Sequence, residues 1–378
     1  MTLDQSRAGA SDEIGSSRFF STLSPFWNEL VDEAARLELD DVGVAPSGAA
    51  RTYEIFAQRV REGYCDGLSY LTNRVEEHQS PDSVLPEALS IIVVALSERR
   101  VRDESQRATE SLFNAPELQS LKDAPRGAVS GYATCLDYHD LLRKRLRALG
   151  RFLASRFPGA KTRAAVDTAP LLEKDWAVAA GLGFCGLHSL TIHPELGSRF
   201  FLGELLVSVP FQDLVGVASA EEYLKARNEW RLARGKRVFD AEKSAAKCQT
   251  CRRCVLACPT NAILGDRTLD SRRCLNYWTI ENRDEIPDDI AQSLDGRLFG
   301  CDLCQRVCPH NANVESAETR DLPLDAVERL DEATFRRLFK KTPIFRARAE
   351  GLKRVAARLQ DAANEGTEKR EGDDRQGQ

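Results

Sequence analysis

Eight of the eleven cysteines fall within one short part of the chain, at spacings that suit iron–sulfur chemistry. Cys248, Cys251, Cys254 and Cys258, followed by Pro259, form the pattern C-x2-C-x2-C-x3-C-P. In bacterial proteins with two 4Fe-4S clusters, the first three thiolates of this pattern hold one cluster and the fourth holds the other. The pattern therefore predicts two clusters and a second set of cysteines that completes them.

The second set of cysteines lies between residues 274 and 308. Cys301, Cys304 and Cys308, followed by proline, repeat the pattern with one cysteine missing, and Cys274 can supply the missing ligand. The predicted ligands are then Cys248, Cys251, Cys254 and Cys308 for the first cluster and Cys258, Cys274, Cys301 and Cys304 for the second. Two structural zinc sites are the alternative, although zinc does not require the three-residue spacing followed by proline. The other three cysteines are expected to pack as small hydrophobic residues: Cys65, Cys135 and Cys185.

A second candidate for chemistry is Asp167, which follows the predicted strand TRAAVD and precedes a turn that contains proline. A carboxyl group at the end of a strand can lie at the mouth of a pocket, partly removed from water and with a raised pKa. The alternative is that Asp167 caps the next helix. Nearby glycines would let the backbone approach a large flat ligand or would form turns: Gly181, Gly183, Gly186, Gly197 and Gly203.

Composition limits the class of protein that can carry these residues. The 378 residues are 42% hydrophobic and 29% charged, enough to bury at least one full core, and the formal net charge is -5, so no overall positive field indicates nucleic acid. The N-terminus lacks a secretory pattern, and the longest apolar run is Ile91 to Leu96. We therefore expect a soluble, cytoplasmic protein in a reducing compartment, and a monomer with no membrane contact.

The elements that position these residues alternate between helix and strand. A helix is predicted from Phe26, a buried central strand at Ser90 to Leu96, a charged surface excursion from Glu98 to Arg126, and an amphipathic helix from Asp140 to Phe157. The fold class is therefore α+β, with an α/β domain at residues 25–235. The cysteines form a separate module at 236–315, between frayed ends at 1–24 and 361–378.

Residues 316–360 are predicted to form short helices that carry a local basic patch. Its members are Arg336, Arg337, Lys340, Lys341, Arg346, Arg348, Lys353 and Arg354. Such a patch can bind RNA or can be a solvated helix face. No phosphate-binding glycine motif follows a predicted strand, so the sequence gives little support for nucleotide binding.

The order of motifs resembles the epoxyqueuosine reductase family, the cobalamin-dependent iron–sulfur enzymes of tRNA queuosine synthesis. The matching segments are GLSYL at 67–71, YATCLDYHDLLRKRL at 132–146, VDTAPLLE at 166–173, GLGFCGLHSL at 181–190 and GSRFFLGELL at 197–206, followed by the cysteine segments. The resemblance implies a cobalamin-binding domain like those of nitroreductases and reductive dehalogenases, followed by a module similar to bacterial two-cluster ferredoxins.

The resemblance also implies a mechanism. Electrons would pass from the two clusters to cobalamin, which acts on the epoxide of the modified wobble base, and Asp167 would give a proton to the departing oxygen. The segment that lines cobalamin would include His188, Ser189, Thr191 and Leu202, while His139 and His193 would have structural roles. The implied partners are tRNA and an external electron donor such as flavodoxin or ferredoxin.

Four basic residues of the family pattern are missing from this chain. Thr134 and Leu136 stand where the family has arginines, Leu187 stands where it has lysine, and the basic residue usually found just before the proline that matches Pro81 is absent. Two other functions therefore stay open. One is a related cobalamin reductase that acts on another small substrate, for example by dehalogenation, and the other is a pure electron carrier.

Overall fold

The computed structural model describes residues 22–119 and 124–376, so most of the predicted N-terminal extension at 1–24 lies outside the described residues. The helices are α1 Pro25–Arg36, α2 Tyr53–Arg61, α3 Ser69–Thr72, α4 Glu98–Phe113, α5 Tyr138–Arg156, α6 Glu173–Ala179, α7 Phe211–Val215, α8 Ala220–Ala233, α9 Ala241–Cys251, α10 Arg253–Ala257, α11 Asp288–Gln292, α12 Leu303–Arg306, α13 Leu324–Arg329, α14 Glu332–Phe339 and α15 Arg348–Gln376. The strands are β1 Asp41–Pro46, β2 Ser90–Ser97, β3 Arg126–Val129, β4 Thr162–Ala165, β5 Phe184–Cys185, β6 Thr191–Ile192, β7 Phe200–Val207, β8 Arg297–Phe299 and β9 Arg320–Pro323.

A four-stranded antiparallel sheet in the order β1-β2-β7-β4 is the centre of the first domain. Every residue of β2 is buried, because β1 and β7 flank it and both faces of the sheet are covered. Ile92 and Val94 face the core around Trp27, whereas Ile91 and Val93 face the core around Trp176. The predicted central strand and the α+β class are confirmed.

Helix α5 packs on the first of these faces and confirms the predicted amphipathic helix. The Asp137 carboxylate accepts a hydrogen bond from the backbone N–H of His139 and caps the helix N-terminus. The leucines at helical spacing, Leu142, Leu146, Leu149 and Leu153, are all fully buried. The start of α5 is thereby held next to the end of β4, the strand that leads to Asp167.

The predicted surface excursion from Glu98 to Arg126 is wrong for its first half. Residues 98–113 form α4, which buries Val101, Ser105, Thr109 and Phe113 at a spacing of four residues. The hydroxyls of Ser105 and Thr109 each donate to the backbone carbonyl four residues earlier, so these polar groups are satisfied inside the packed face. Within the described residues, the segment then continues into β3.

A second core crosses the predicted domain boundary at 235. Strand β3, from the first domain, pairs in parallel with β8 and antiparallel with β9. Phe113 and Val129 pack with Phe335 and Phe339, so the predicted basic segment at 316–360 forms one wall of this core. Helix α15 continues to Gln376, beyond residue 361, where the sequence predicted a disordered tail; residues 377–378 lie outside the described residues.

Among the described residues, no helix is long and apolar enough to cross a membrane.

Candidate active site and iron–sulfur centre

Asp167 lies in the turn between β4 and α6 and has a left-handed backbone conformation, with φ of 58°. Its backbone N–H donates to Glu173 Oε1 at 2.5 Å, and its side chain is 43% exposed. Helix α6 begins at Glu173, and the residue before it makes no side-chain capping bond. Asp167 is therefore not the helix cap that the sequence left as an alternative; its carboxylate faces an open cleft.

The carboxylate of Asp167 belongs to a chain of hydrogen bonds at the N-terminus of α5. His139 Nε2 lies 2.9 Å from Asp167 Oδ2, and His139 Nδ1 lies 2.7 Å from Asp137 Oδ1. Tyr138 Oη donates to Asp167 Oδ2 at 3.4 Å, and the Tyr138 ring stacks on Phe201 at 3.9 Å between centroids. One imidazole is thus held between two carboxylates, on a helix terminus that is itself packed.

This arrangement reverses the direction expected for the pKa of Asp167. Burial alone would raise that pKa, but the hydrogen bond and positive charge of His139, with the charge of Arg346, lower it below its ordinary value of 3.8. Burial would likewise lower the pKa of His139, yet Asp137 and Asp167 outweigh it and raise the pKa from 6.5 to about 9. The prediction of a raised pKa was wrong because it left out His139, so at neutral pH the shared proton lies on the imidazole.

Two further carboxyl groups lie behind Asp167, and sequence reasoning missed both. Glu204 is in the middle of β7, fully buried, in register with Val93 on one side and Ala165 on the other. Its carboxyl group faces that of Glu173, and burial followed by the neighbouring negative charge raises the pKa of both. Burial and like charge favour the protonated form of these carboxyl groups next to Asp167, although neither Glu204 oxygen has a hydrogen-bond partner within the described residues. The only signal in the sequence was a single acidic residue in the apolar run FFLGELLV.

The opposite wall of the cleft comes from the C-terminal part of the chain. Arg346 forms an ion pair with Glu281, lies 5.6 Å from the ring centroid of Tyr70, and contributes to the lowered pKa of Asp167. Lys340 and Lys341, by contrast, are exposed. The predicted basic patch therefore has two parts, and Arg346 belongs to the cleft.

The predicted cobalamin-lining residues lie on the β5–β6 hairpin and on β7. His188 and Thr191 are buried, and neither His188 Nε2 nor Thr191 Oγ1 has a hydrogen-bond partner within the described residues. Ser189 has a φ of 64° and lies 3.4 Å from Lys174 Nζ, while Leu202 is half-buried. Buried polar atoms without partners are uncommon and call for a ligand or water. This segment therefore fits a large group with polar edges, such as cobalamin.

Other residues that the sequence singled out here have structural explanations. A Cβ at Gly183 would come within 2.0 Å of the Ile192 carbonyl oxygen, so the hairpin itself requires glycine there. His193 is buried and bonds Asp41 Oδ2 at 2.9 Å, which agrees with a structural role. Thr134 is buried and donates to the Gly131 carbonyl. Leu187 is fully buried, and Leu136 is half-buried.

The eight clustered cysteines lie near one another, and their division into two quartets stays a prediction. Burial raises the thiol pKa of Cys254, Cys274, Cys301, Cys304 and Cys308. Nearby cysteines raise it further, Cys248 for Cys254 and Cys308, and Cys258 for Cys274 and Cys301. All eleven cysteines are free, and no three His, Cys, Asp or Glu in the described ranges converge on a single metal ion. Cys248 Sγ accepts from the N–H of Leu187 at 3.4 Å, so the first quartet contacts the hairpin that carries His188.

The cysteine module also has a family match. Residues 247–311 match the 4Fe-4S double cluster binding domain, which overturns the zinc alternative. Soft thiolate ligands suit iron–sulfur clusters, and the carboxylate–imidazole pair suits proton transfer. Together they indicate an iron–sulfur oxidoreductase. That is the class of protein that the fold and the site define.

The first domain and the whole chain identify the family. Residues 79–168 match the family described as Epoxyqueuosine reductase QueG, DUF1730. An epoxyqueuosine reductase of Cyclobacterium marinum is 30% identical over 303 residues, which are 78% of this chain and 84% of the relative. That of Gloeobacter violaceus is 32% identical over 351 residues, 88% and 95% of the two chains. The chain belongs to the epoxyqueuosine reductase family.

Solved structures agree at the level of the fold. A crystal structure of an epoxyqueuosine reductase with an epoxyqueuosine-modified tRNA-Tyr stem loop has a TM-score of 0.69 and 24% identity, covering 88% of this chain and 80% of that one.

Proposed function

We propose that this protein reduces epoxyqueuosine to queuosine in tRNA. Family membership defines the reaction class, and the observation that carries the proposal is the hydrogen-bonded Asp167–His139 pair, whose carboxylate is partly exposed. The solved relative with a modified tRNA stem loop supports tRNA as the substrate of this chain as well. A pure electron carrier would have no need of such a pair.

The cofactors of the proposed reaction are two 4Fe-4S clusters and cobalamin. The quartets Cys248, Cys251, Cys254, Cys308 and Cys258, Cys274, Cys301, Cys304 would hold the clusters, and His188, Ser189, Thr191 and Leu202 would line the cobalamin. When bound, cobalamin supplies a cobalt-centred reductant and the clusters supply its electrons. The partnerless polar atoms of His188 and Thr191 are the support for the cobalamin assignment.

The chain's own contribution is proton delivery. Removing an epoxide oxygen as water consumes two electrons and two protons, and negative charge develops on the oxygen as its bond to carbon breaks. Asp167 is the exposed member of the pair, so it touches the substrate oxygen, while His139 carries the proton at neutral pH and passes it to Asp167. Glu173 and Glu204, whose pKa values are raised by burial and like charge, lie behind Asp167 and would keep a second proton near the site.

The proposed reaction also requires a tRNA substrate and an electron donor. Lys340 and Lys341 are exposed and can contact tRNA phosphates, while an external one-electron donor must renew the two electrons used in each turnover. A monomer in the cytoplasm stays a prediction. A related reductase of another small substrate remains the alternative, because Thr134, Leu136 and Leu187 replace basic residues of the family pattern.

The deciding experiment is a conversion assay. The reconstituted, chemically reduced protein is incubated with tRNA that carries epoxyqueuosine, and the nucleosides are analysed by mass spectrometry. We expect queuosine, with iron and cobalt contents that match two clusters and one cobalamin. No queuosine from fully loaded protein would refute the proposed function, and conversion of a haloaromatic compound instead would favour the alternative.

A further inference from the structure

The two cysteine quartets differ in how close they come to solvent. Cys251, in the first quartet, is exposed, whereas Cys254 and Cys308 of that quartet are buried and every member of the second quartet is partly accessible. Cys251 is the last residue of α9, a helix that has no buried residue, so little protein covers this side of the first quartet. The Cys251 side of the first quartet is therefore the one that an external protein can approach.

The second quartet lies toward the Asp167 cleft. A Cβ at Gly300, the residue before Cys301, would come within 3.4 Å of Tyr132 Cε1. Burial and then the charge of Asp167 raise the pKa of Tyr132, so the ring is near both Gly300 and Asp167. The second quartet is thus near the Asp167 side of the site, whereas the first quartet contacts the hairpin that carries His188.

Two cavities adjoin the first quartet. The smaller, of about 210 Å³, is lined by the four cysteines, which would hold the first cluster there, and by neighbours that include His188, Pro309 and His310. The larger, of about 530 Å³, shares Pro309 and His310 with it and is also lined by Lys236, Arg237 and Phe239. The larger cavity therefore forms a groove beside the first quartet.

The border of this groove is basic, although the whole chain carries a net charge of -5. Residues 232–256 contain seven Lys and Arg and two acidic residues. We call five of these residues the basic rim: Lys236, Arg237, Lys247, Arg252 and Arg253. In the part of the chain that the structure describes, none of the five side chains forms an ion pair, whereas the nearby Lys243 is paired with Asp240 at 2.8 Å. Unpaired charge of one sign attracts a partner of the opposite sign.

Two exposed apolar side chains complete the surface. Leu232 is 58% exposed and lines the larger cavity, and Leu256 is 83% exposed on α10, next to the ligand Cys254. A few apolar contacts inside a charged border are typical of small, transient interfaces, the class to which electron-transfer complexes belong. RNA is the other acidic partner to consider, but the rim surrounds the first quartet, not Asp167, where the substrate base must react.

We propose that the basic rim, with Leu232 and Leu256, is the docking surface for an acidic one-electron carrier protein that reduces the first cluster. The inference rests on the proposed function in one respect, because the proposed reaction requires electrons from an external donor. The carrier is oxidised by one electron at each encounter, so two encounters supply the two electrons that, with two protons, release the epoxide oxygen as water.

The test uses the loaded enzyme and a charge-reversal pair that avoids the cluster ligands, Lys236→Glu with Arg237→Glu. An acidic flavodoxin is the probe. We measure its binding affinity and, by stopped flow, the bleaching of the iron–sulfur absorbance. We expect the reduction rate to fall at least about tenfold at low ionic strength, and the difference to shrink at about 0.5 M salt. The matched control reverses two exposed charges outside the rim, Arg151→Glu with Lys225→Glu, and should retain the rate.

Reduced methyl viologen separates this proposal from the proposed function, because a small cationic reductant needs no docking surface. The rim variant should make queuosine normally with viologen; wild-type protein that fails with viologen would count against the proposed function alone. The docking surface would be overturned if flavodoxin reduced the clusters of the rim variant at the wild-type rate. It would also be overturned if the variant lost tRNA affinity while flavodoxin still reduced it normally. If the charge reversal lowers the iron content, the neutral pair Lys236→Gln with Arg237→Gln is used instead. A wild-type reduction rate by flavodoxin that does not change with salt would also overturn the proposed docking surface.

Discussion

The His139–Asp167 pair makes a prediction that can be worked out from the structure, through the substitution His139→Gln. The glutamine can still donate to Asp167 but carries no charge. The pKa of His139 lies at about 9 instead of 6.5. At 1.36 kcal/mol per pKa unit, Asp137 and Asp167 together stabilise the imidazolium by about 3 kcal/mol beyond the cost of burial. The side chain is only 12% exposed, so solvent screens little of this energy.

The consequence for catalysis is a shift in pH dependence. In the wild type, the pair keeps its proton until the pH reaches about 9, so the rate of product formation in a single turnover should be level from pH 6 to 8.5 and fall above pH 9. In His139→Gln, Asp167 must hold the proton alone. Without the charge of His139, burial acts to raise the pKa of Asp167, but a carboxyl group is still largely ionised at pH 8. We therefore expect a loss of about 100-fold at pH 8 and a much smaller loss at pH 6.

The assay is single turnover of pre-reduced enzyme on modified tRNA across this pH range, with iron and cobalt contents checked for each protein. His78→Gln is the matched control, because His78 is also buried but bonds the Arg74 carbonyl and packs on Phe56. A His139→Gln profile that stays level up to pH 8.5 would show that His139 does not hold the transferred proton, and the reasoning above would fail.

Four further predictions test the remaining parts of the site. Asp167→Asn should keep iron and cobalt but lose at least about 100-fold in turnover; an unchanged rate would remove Asp167 from the mechanism. Cys251→Ser should lower the bound iron by about half, because only the first quartet loses a ligand. Glu204 has a raised pKa in the folded state, so wild-type unfolding free energy should decline as pH rises above 4.5, and Glu204→Gln should decline less in denaturant titrations. Lys340→Glu with Lys341→Glu should weaken tRNA binding and lower its salt slope by about 2, and unchanged affinity would leave these lysines a solubilising role.

Local patterns in the sequence predicted the parts of this protein that depend on neighbours along the chain. The cysteine spacing follows from how one turn of chain wraps a cluster, so the quartets could be proposed before any fold was known. The apolar run Ser90 to Leu96 became a strand with both faces buried, and the leucines of Asp140 to Phe157 became the buried face of α5. In each case, the information lies within about twenty residues.

Helix α4 shows where such patterns fail. A hydrophobic repeat is the main signal of a buried helix face, but two of the buried positions are Ser105 and Thr109. Each satisfies its hydroxyl on its own helix backbone, so burial costs little and leaves no apolar trace in the sequence. Apart from the buried Glu98, the many charged residues of 98–110 lie on the outer faces of the helix, and they make the segment look like an exposed loop by composition.

The chemistry of the site could not be predicted for a different reason, which is sequence distance. The direction of the Asp167 pKa depends on His139, 28 residues earlier, and the raised pKa of Glu204 depends in part on Glu173 from a separate element. The fold brings these groups together because β4 ends beside the start of α5 and pairs with β7. Asp167 is then fixed by its backbone bond to Glu173 and its carboxylate bond to His139, which together hold a left-handed backbone that a non-glycine residue rarely adopts. A lone carboxylate in a sequence shows that a partner must exist, but only the fold decides whether that partner is a cation that lowers its pKa or an acid that raises it.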